Sequence, residues 1–241
     1  MMKSKEEPGS IPQGPVLGIM NHEPKPWALY LDIEGFGKRW NETNMRPFRG
    51  IGALMEGIFK IGAKSDDSDR LFAHQFGDAF LVVSDFHEEN LDRAVLIGVA
   101  LMRQVLLEGE TVKCSLDEGN LSDIANCFPK CIREQYNKSE TGSISMGSGQ
   151  MTITAVMGSA LIQTSSVQKK AKGPLFLLRK ELRGRISESF QLRDVKGAEL
   201  LSLNWIKGDP PGLAELERKV GLRSLNERCR VKLLKRYVGR T

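Results

Sequence analysis

The sequence predicts an α+β domain in which helices flank a central, mostly antiparallel sheet. Two short apolar runs joined by Gly77-Asp78 form a β-hairpin signal. An amphipathic helical pattern precedes this hairpin, and a long apolar helical run follows it. The chain has 241 residues, of which 40% are hydrophobic and 27% charged. This composition is that of a globular protein, and it excludes a disordered chain or a fibrous one.

The elements follow one another in an order typical of a sheet covered by helices. The apolar run Trp27–Ile33 predicts a buried strand, and the Gly-containing segment 34–37 predicts a turn. Apolar residues at helical spacing over 48–61 predict a helix that packs on the sheet, ahead of a hairpin over 71–83. The later predictions are a helix over 91–107, a strand over 112–116, a Gly/Ser-rich loop over 142–149, a helix over 157–170 and strands over 174–178 and 199–205.

Composition divides the chain into three parts. Residues 1–25 are rich in Pro, Gly, Lys and Glu and predict a flexible arm. Residues 26–208 form the predicted domain, and residues 209–241 form a basic tail with Leu, Arg and Lys at helical spacing. We expect this tail to be an amphipathic helix that packs on its own domain, with no nucleic acid and no membrane as its partner.

Charge and the chain start limit the classes of function. The formal net charge is +5 and the isoelectric point is near 9.0, which favours an anionic partner. The longest apolar runs fall short of the roughly 18 residues of a membrane span, and the start carries acids and prolines instead of a signal sequence. We therefore expect a cytoplasmic protein.

Two aspartates stand at points of the predicted sheet that suit chemistry on phosphates. Asp32 closes a buried strand, and Asp78 lies at the tip of the hairpin. If the strands are neighbours, both carboxylates meet at one edge of the sheet. Two converging carboxylates suit Mg²⁺, which prefers oxygen ligands and commonly binds substrate phosphates too. Each aspartate could instead serve as a turn residue, because Asp is common beside Gly in turns.

Two motifs carry a resemblance to a known family. The segments Leu31-Asp32-Ile33-Glu34-Gly35-Phe36 and Phe76-Gly77-Asp78-Ala79 resemble the Asp-Ile-x-Gly-Phe loop and Gly-Asp hairpin of class III nucleotidyl cyclases. Segments at 115–119 and 158–163 and the Lys196-Gly197 pair fit the same family in the same order. The resemblance spans roughly residues 27 to 206 and implies a ferredoxin-like class III cyclase homology domain.

The resemblance also implies a site. Asp32, Asp78 and the backbone carbonyl of Ile33 would hold two Mg²⁺ or Mn²⁺ ions. Backbone amides of Gly35, Phe36 and Gly37 would bind the triphosphate, together with Lys196. The 3′-hydroxyl of the nucleotide would then attack the α-phosphate. Class III sites are shared across a head-to-tail homodimer, so a monomer would be inactive.

The departures from the family concern the base and the transition state. The purine-selecting Lys and Asp are here His74 and Ala155, so the purine-selecting pair is absent. The transition-state Asn and Arg fall on Ile162 and Ser166, which cannot replace them. His74 is the candidate for a residue that contacts the base. Five cationic residues are the candidates for replacing the transition-state groups. The cations are Arg46, Arg49, Arg179, Lys180 and Arg183.

A compact cyclase domain without purine selectors looks like the pyrimidine cyclases of Pycsar anti-phage defence. This resemblance implies conversion of UTP or CTP to a cyclic monophosphate that a separate effector protein detects. Three alternatives stay open. They are a catalytically silent nucleotide-binding or dimer-scaffold module, a diguanylate cyclase suggested by Phe76–Phe80, and a nucleic-acid-binding protein suggested by the basic tail.

Overall fold

The computed structural model describes residues 24–42, 46–66, 68–139 and 142–238. The strands are β1 Trp27–Ile33, β2 Leu71–Phe76, β3 Ala79–Ser84, β4 Val112–Glu118, β5 Ser122–Asp123, β6 Ser143–Met146, β7 Gly149–Thr152, β8 Val156–Met157, β9 Phe176–Arg179, β10 Leu192–Asp194 and β11 Leu200–Leu203. The α-helices are α1 Phe36–Glu42, α2 Arg46–Gly62, α3 Asp92–Leu107, α4 Lys130–Tyr136, α5 Ser159–Gln168, α6 Leu213–Val220 and α7 Glu227–Val238.

The described residues form two compact units. The larger unit comprises 24–119 and 159–238, and the smaller one comprises 120–158. The predicted division at 25/26 and 208/209 stays a prediction, and nearly all of the predicted arm lies outside the described residues. Helices α6 and α7 of the predicted tail belong to the larger unit. No described helix is both long enough and apolar enough to cross a bilayer.

A seven-stranded sheet forms the centre of the larger unit, in the order β10-β11-β9-β4-β1-β3-β2. All neighbouring pairs are antiparallel except β4 and β9, which are parallel. The first four strands therefore have the order 4-1-3-2 of a ferredoxin-like fold. The predicted α+β class with a mostly antiparallel sheet flanked by helices is confirmed.

Burial explains why the first strand and the third helix are so apolar. Strand β1 lies between β3 and β4, so most of its side chains are buried on both faces of the sheet. Helix α3 is buried over most of its circumference, and its residues join the main core. Each large apolar side chain that is fully buried contributes about 1.5–3 kcal/mol. The long apolar run at 91–107 is thus a core helix.

The smaller unit differs from its prediction. The Gly/Ser-rich segment predicted as a loop over 142–149 is largely a β-hairpin, in which β6 pairs with β7. Gly147 forms the turn with a φ of 62°, a conformation that glycine adopts without steric cost. Small polar residues predicted a loop here, but the backbone pairing of β6 with β7 gives the segment regular structure.

Candidate functional site

The two predicted metal ligands lie together at one end of the sheet. In the register of β1 and β3, Asp32 pairs with Ala79, the residue that follows Asp78. The amide of Ile33 donates a hydrogen bond to the backbone oxygen of Asp78 at 3.4 Å. The hairpin therefore carries the Asp78 carboxylate to the end of β1, where Asp32 lies.

The two carboxylates act on each other electrostatically. Burial raises the pKa of Asp78, and the neighbouring charge of Asp32 raises it further. The pKa of the Tyr30 hydroxyl is also raised, first by burial and then by both aspartates. Two carboxylates that repel each other in a half-buried setting favour the binding of a cation between them.

Lys113 is a site residue that the sequence analysis missed. It lies on β4 directly opposite Asp32 in the register. Its Nζ is 3.7 Å from Asp32 Oδ2 and 3.1 Å from Glu34 Oε2. The predicted strand over 112–116 contained this residue, but only the register against β1 identifies it as the neighbour of Asp32.

Gln168 also contacts the site and was not predicted. This residue is the last of helix α5, which packs against β1 and β4. Its Nε2 donates a hydrogen bond of 2.9 Å to Asp32 Oδ2, and its side chain is buried. The helix was predicted from its sequence, but a contact separated by more than a hundred positions has no local signal.

The loop after Asp32 is held by contacts from helix α1 and from the turn before β4. Gly35 has a φ of 69°, and Phe36 and Gly37 already belong to helix α1. The Glu34 amide donates to the Thr111 oxygen at 2.9 Å, and Arg39 Nη2 donates to the Glu34 oxygen at 2.7 Å. Behind the loop, Arg39 forms a buried ion pair with Glu110. This support fixes the backbone next to both aspartates.

Lys196 lies at the opposite end of the sheet from Asp32. Strand β11 begins at Leu200, which pairs with Arg179 of β9. Arg179 in turn binds Asp117, which is four positions along β4 from Lys113, a span of about 13 Å. Lys196 lies beyond this level, in the turn between β10 and β11. Within one chain, Lys196 therefore cannot share a site with Asp32.

The remaining candidates are dispersed over the larger unit. Arg179 forms an ion pair of 2.6 Å with the buried Asp117, and Arg183 forms one of 3.0 Å with Asp194. Arg49 is exposed on α2. His74 is half-buried on edge strand β2, where it pairs with Leu81. Neither arginine of the 179–183 segment is available at the Asp32 end of its own chain.

The donor atoms at the Asp32 end suit a hard divalent cation. They are carboxylate oxygens, which Mg²⁺ and Mn²⁺ prefer. Among the residues that the structure describes, no group of three or more His, Cys, Asp or Glu side chains is arranged to hold a metal ion. The site thus supplies few protein ligands, as is usual where substrate phosphates and water complete the coordination.

The solved structures that are similar to this chain include three guanylyl cyclase domains. The catalytic core of a rhodopsin-guanylyl cyclase with converted specificity, in complex with ATPαS, is 14% identical over 74% of this chain and 95% of that chain, with a TM-score of 0.48. A non-canonical dimeric guanylyl cyclase domain from the aquatic fungus Blastocladiella emersonii is 12% identical over 75% and 96%, with a TM-score of 0.48. The guanylate cyclase domain of RhGC from Catenaria anguillulae, in complex with GTP, is 13% identical over 75% and 96%, with a TM-score of 0.46.

No profile of a known protein family matches the chain, and no curated protein sequence matches it.

Proposed function

We propose that this protein is a class III nucleotidyl cyclase, which converts a nucleoside triphosphate to its 3′,5′-cyclic monophosphate and pyrophosphate. One observation carries the proposal. Asp32 and Asp78 converge at the end of strand β1, and the cationic Lys113 lies beside Asp32. Together with the two motifs that resemble the family, this pairing of acids and a lysine suits a phosphate held with a metal ion.

Two divalent cations are the proposed cofactors. Asp32 and Asp78 would hold them, with the Ile33 carbonyl as a third ligand. The raised pKa of Asp78 fits this assignment, because a bound cation would offset the repulsion between the carboxylates. The ions would supply charge neutralisation on the phosphates and lower the pKa of the attacking hydroxyl.

The chain's own groups would bind and orient the triphosphate. Lys113 lies at the same end of the sheet as Asp32, where it would pair with a phosphate oxygen. In the structure its partners are Asp32 and Glu34. Backbone amides of Gly35, Phe36 and Gly37 follow directly in the chain and would donate to the same phosphates. Gln168 would keep the Asp32 carboxylate in one orientation.

Lys196 would contribute to the site of a second copy of the chain. It lies at the far end of its own sheet, so its proposed contact with the triphosphate requires a partner in which the sheet runs the other way. Two copies related by a twofold axis would form two such sites. The homodimer is thus part of the proposed function.

The reaction itself is an intramolecular displacement. The 3′-oxygen bonds to the α-phosphorus while the bond to the pyrophosphate breaks, and the hydroxyl proton leaves to water. Charge develops on the pyrophosphate oxygens, where Lys113 and the partner's Lys196 would stabilise it. Arg46 and Arg49, in the first turn of α2, are the remaining candidates for the missing transition-state arginine.

The proposed substrate is a pyrimidine nucleotide, UTP or CTP. The positions that select a purine in the family are His74 and Ala155, and Ala155 has no group that could bind a base edge. His74 lies on the same face of the sheet as Tyr30, because both pair with Leu81. The cyclic product would serve as a second messenger in anti-phage defence, detected by a separate effector.

The test is turnover of purified protein with Mn²⁺ and each of ATP, GTP, CTP and UTP, with products resolved by chromatography and mass. We expect a cyclic pyrimidine monophosphate. Asp32→Ala and Asp78→Ala should abolish turnover while the dimer persists in light scattering. Glu188→Ala, which removes an exposed carboxylate outside the site, is the control and should keep full activity. Full activity in either aspartate variant would refute the two-metal assignment.

A second candidate function is a silent nucleotide-binding module. Ile162 is 63% exposed and Ser166 is exposed one turn later on α5, at the positions of the family's transition-state Asn and Arg. Neither side chain can donate a charged hydrogen bond to a phosphate. This module would bind triphosphate with Mn²⁺ in calorimetry, yet yield no product from any of the four nucleotides.

A further inference from the structure

Helix α7 has a cationic face that the proposed cyclase reaction does not use. We define this cationic face by Arg228, Lys232, Lys235 and Arg236, all of which are exposed. Spacings of four, seven and eight residues place these side chains on one side of the helix. Together with Val231, they surround a shallow depression of about 510 Å³.

The opposite side of α7 is anchored in the domain. Arg230 is only 1% exposed, and its guanidinium donates to the backbone oxygens of Ile206 at 2.7 Å and Gly208 at 3.0 Å. Leu233 and Leu234 pack against the main core. Because these contacts fix the rotation of the helix, the cationic face stays directed to solvent.

The charges of this face are not neutralised within the described part of the chain. There, none of the four side chains forms an ion pair or a hydrogen bond, whereas nearby Arg223 binds Glu108 and Lys219 binds Asp69. Like charges four residues apart on a helix repel each other. A bound polyanion would relieve this repulsion.

We infer that the cationic face binds the phosphate backbone of a nucleic-acid duplex. The four residues span about 12 Å of helix, and a duplex presents a phosphate roughly every 1.7 Å of its axis, so one face meets several phosphates. Among the α7 side chains that the structure describes, no large apolar one is exposed beside these cations, and the adjacent Val231 is half-buried. The described part of the face therefore offers no apolar side chain for insertion into a bilayer. This interaction departs from the expectation that the tail only packs on its own domain.

The test is fluorescence anisotropy with a fluorescein-labelled DNA duplex of mixed sequence, titrated with the full chain at several KCl concentrations without triphosphate. Four contacts predict a slope of about −3.6 in log K against log salt. The variant that replaces all four cations by Gln should bind at least about tenfold more weakly at low salt and lose most of this slope. Gln favours helix, so the change conserves helix propensity.

A matched control separates the cationic face from net charge. It also replaces four exposed cations by Gln, but these are scattered over both units, at Lys64, Lys130, Lys138 and Arg193. We expect this control to keep the slope and most of the affinity. If the quadruple α7 variant does not fold by circular dichroism, Lys232→Gln and Arg236→Gln singly should each reduce the slope by about 0.9.

Three outcomes would overturn the inference. They are no duplex binding by the wild-type chain, equal loss of binding in the α7 variant and the scattered control, and single variants that leave the slope unchanged. In the first of these cases, binding to phosphatidylserine vesicles would assign the face to a membrane surface.

Discussion

Two inactive variants should restore each other's activity if the site is shared between chains. Asp32 and Lys196 lie at opposite ends of the sheet, so each proposed site takes Asp32 from one copy and Lys196 from the other. In a dimer of one Asp32→Ala chain and one Lys196→Ala chain, one site has both groups intact and the other lacks both. We therefore expect activity only after the two variants exchange subunits.

The expected turnover of the mixture follows from random pairing of the two kinds of subunit. Equal amounts of the two chains give about half heterodimers, each with one intact site of two, so the mixture should reach about a quarter of wild-type turnover. The assay mixes the variants, allows exchange, and follows cyclic product with the nucleotide that the wild type uses. Each variant alone, at the same total concentration, is the control.

Two results would refute this reasoning. Full activity of Lys196→Ala alone would remove Lys196 from the site. No recovery in a mixture whose heterodimers are confirmed by native mass spectrometry would show that both groups act within one chain, against the sheet register.

Three further predictions concern stability. A Cβ at Gly98 would lie 2.6 Å from the Phe176 ring, so Gly98→Ala should lower the free energy of unfolding, measured by urea denaturation, by about 1–3 kcal/mol. Gly52→Ala, with open space around it, is the control and should raise the free energy of unfolding by up to about 1 kcal/mol. The raised pKa of Asp78 means that its charged form costs stability, so Asp78→Asn should raise Tm at pH 7 in EDTA, and the difference should vanish below about pH 4. Arg230→Ala should cost at least about 2 kcal/mol, because it removes a side chain that is only 1% exposed and two of the hydrogen bonds that this side chain donates, to the oxygens of Ile206 and Gly208.

Each stability prediction has a result that contradicts it. A Gly98→Ala chain as stable as the wild type would mean that the Phe176 ring moves aside. A Tm difference for Asp78→Asn that persists at pH 3 would exclude the charge of Asp78 as its cause. Arg228→Ala, on the exposed side of the same helix, should change stability by less than about 0.5 kcal/mol, and an equal loss there would refute the anchoring role of Arg230.

Local patterns predicted the elements that build the sheet and its cover. Strand β1, the β2–β3 hairpin and helices α2 and α3 all occur close to their predicted bounds. Apolar runs and Gly-Asp turns are local properties, and they decide strand and helix wherever burial agrees with them. Helix α1 and the β6–β7 hairpin were not predicted, because their apolar patterns are short: Phe36 and Trp40 in α1, and Ile144 and Met146 in β6.

The approach of Asp32 to Asp78 could also be predicted, because a hairpin beside a strand end brings the two together. The neighbours of these aspartates could not. Lys113 and Gln168 reach Asp32 through strand register and helix packing, which depend on contacts between residues far apart in sequence.

By itself, the sequence determined the order of the main elements of the larger unit, the apolar core and the pair of acids, because each depends on spacing within a short segment. Only the tertiary structure decided which cations meet those acids. It placed Lys113 beside Asp32, bound Arg179 to Asp117 and put Lys196 at the far end of the sheet. The physical reason is that strand order and register set which side chains share an edge, and no local pattern encodes them.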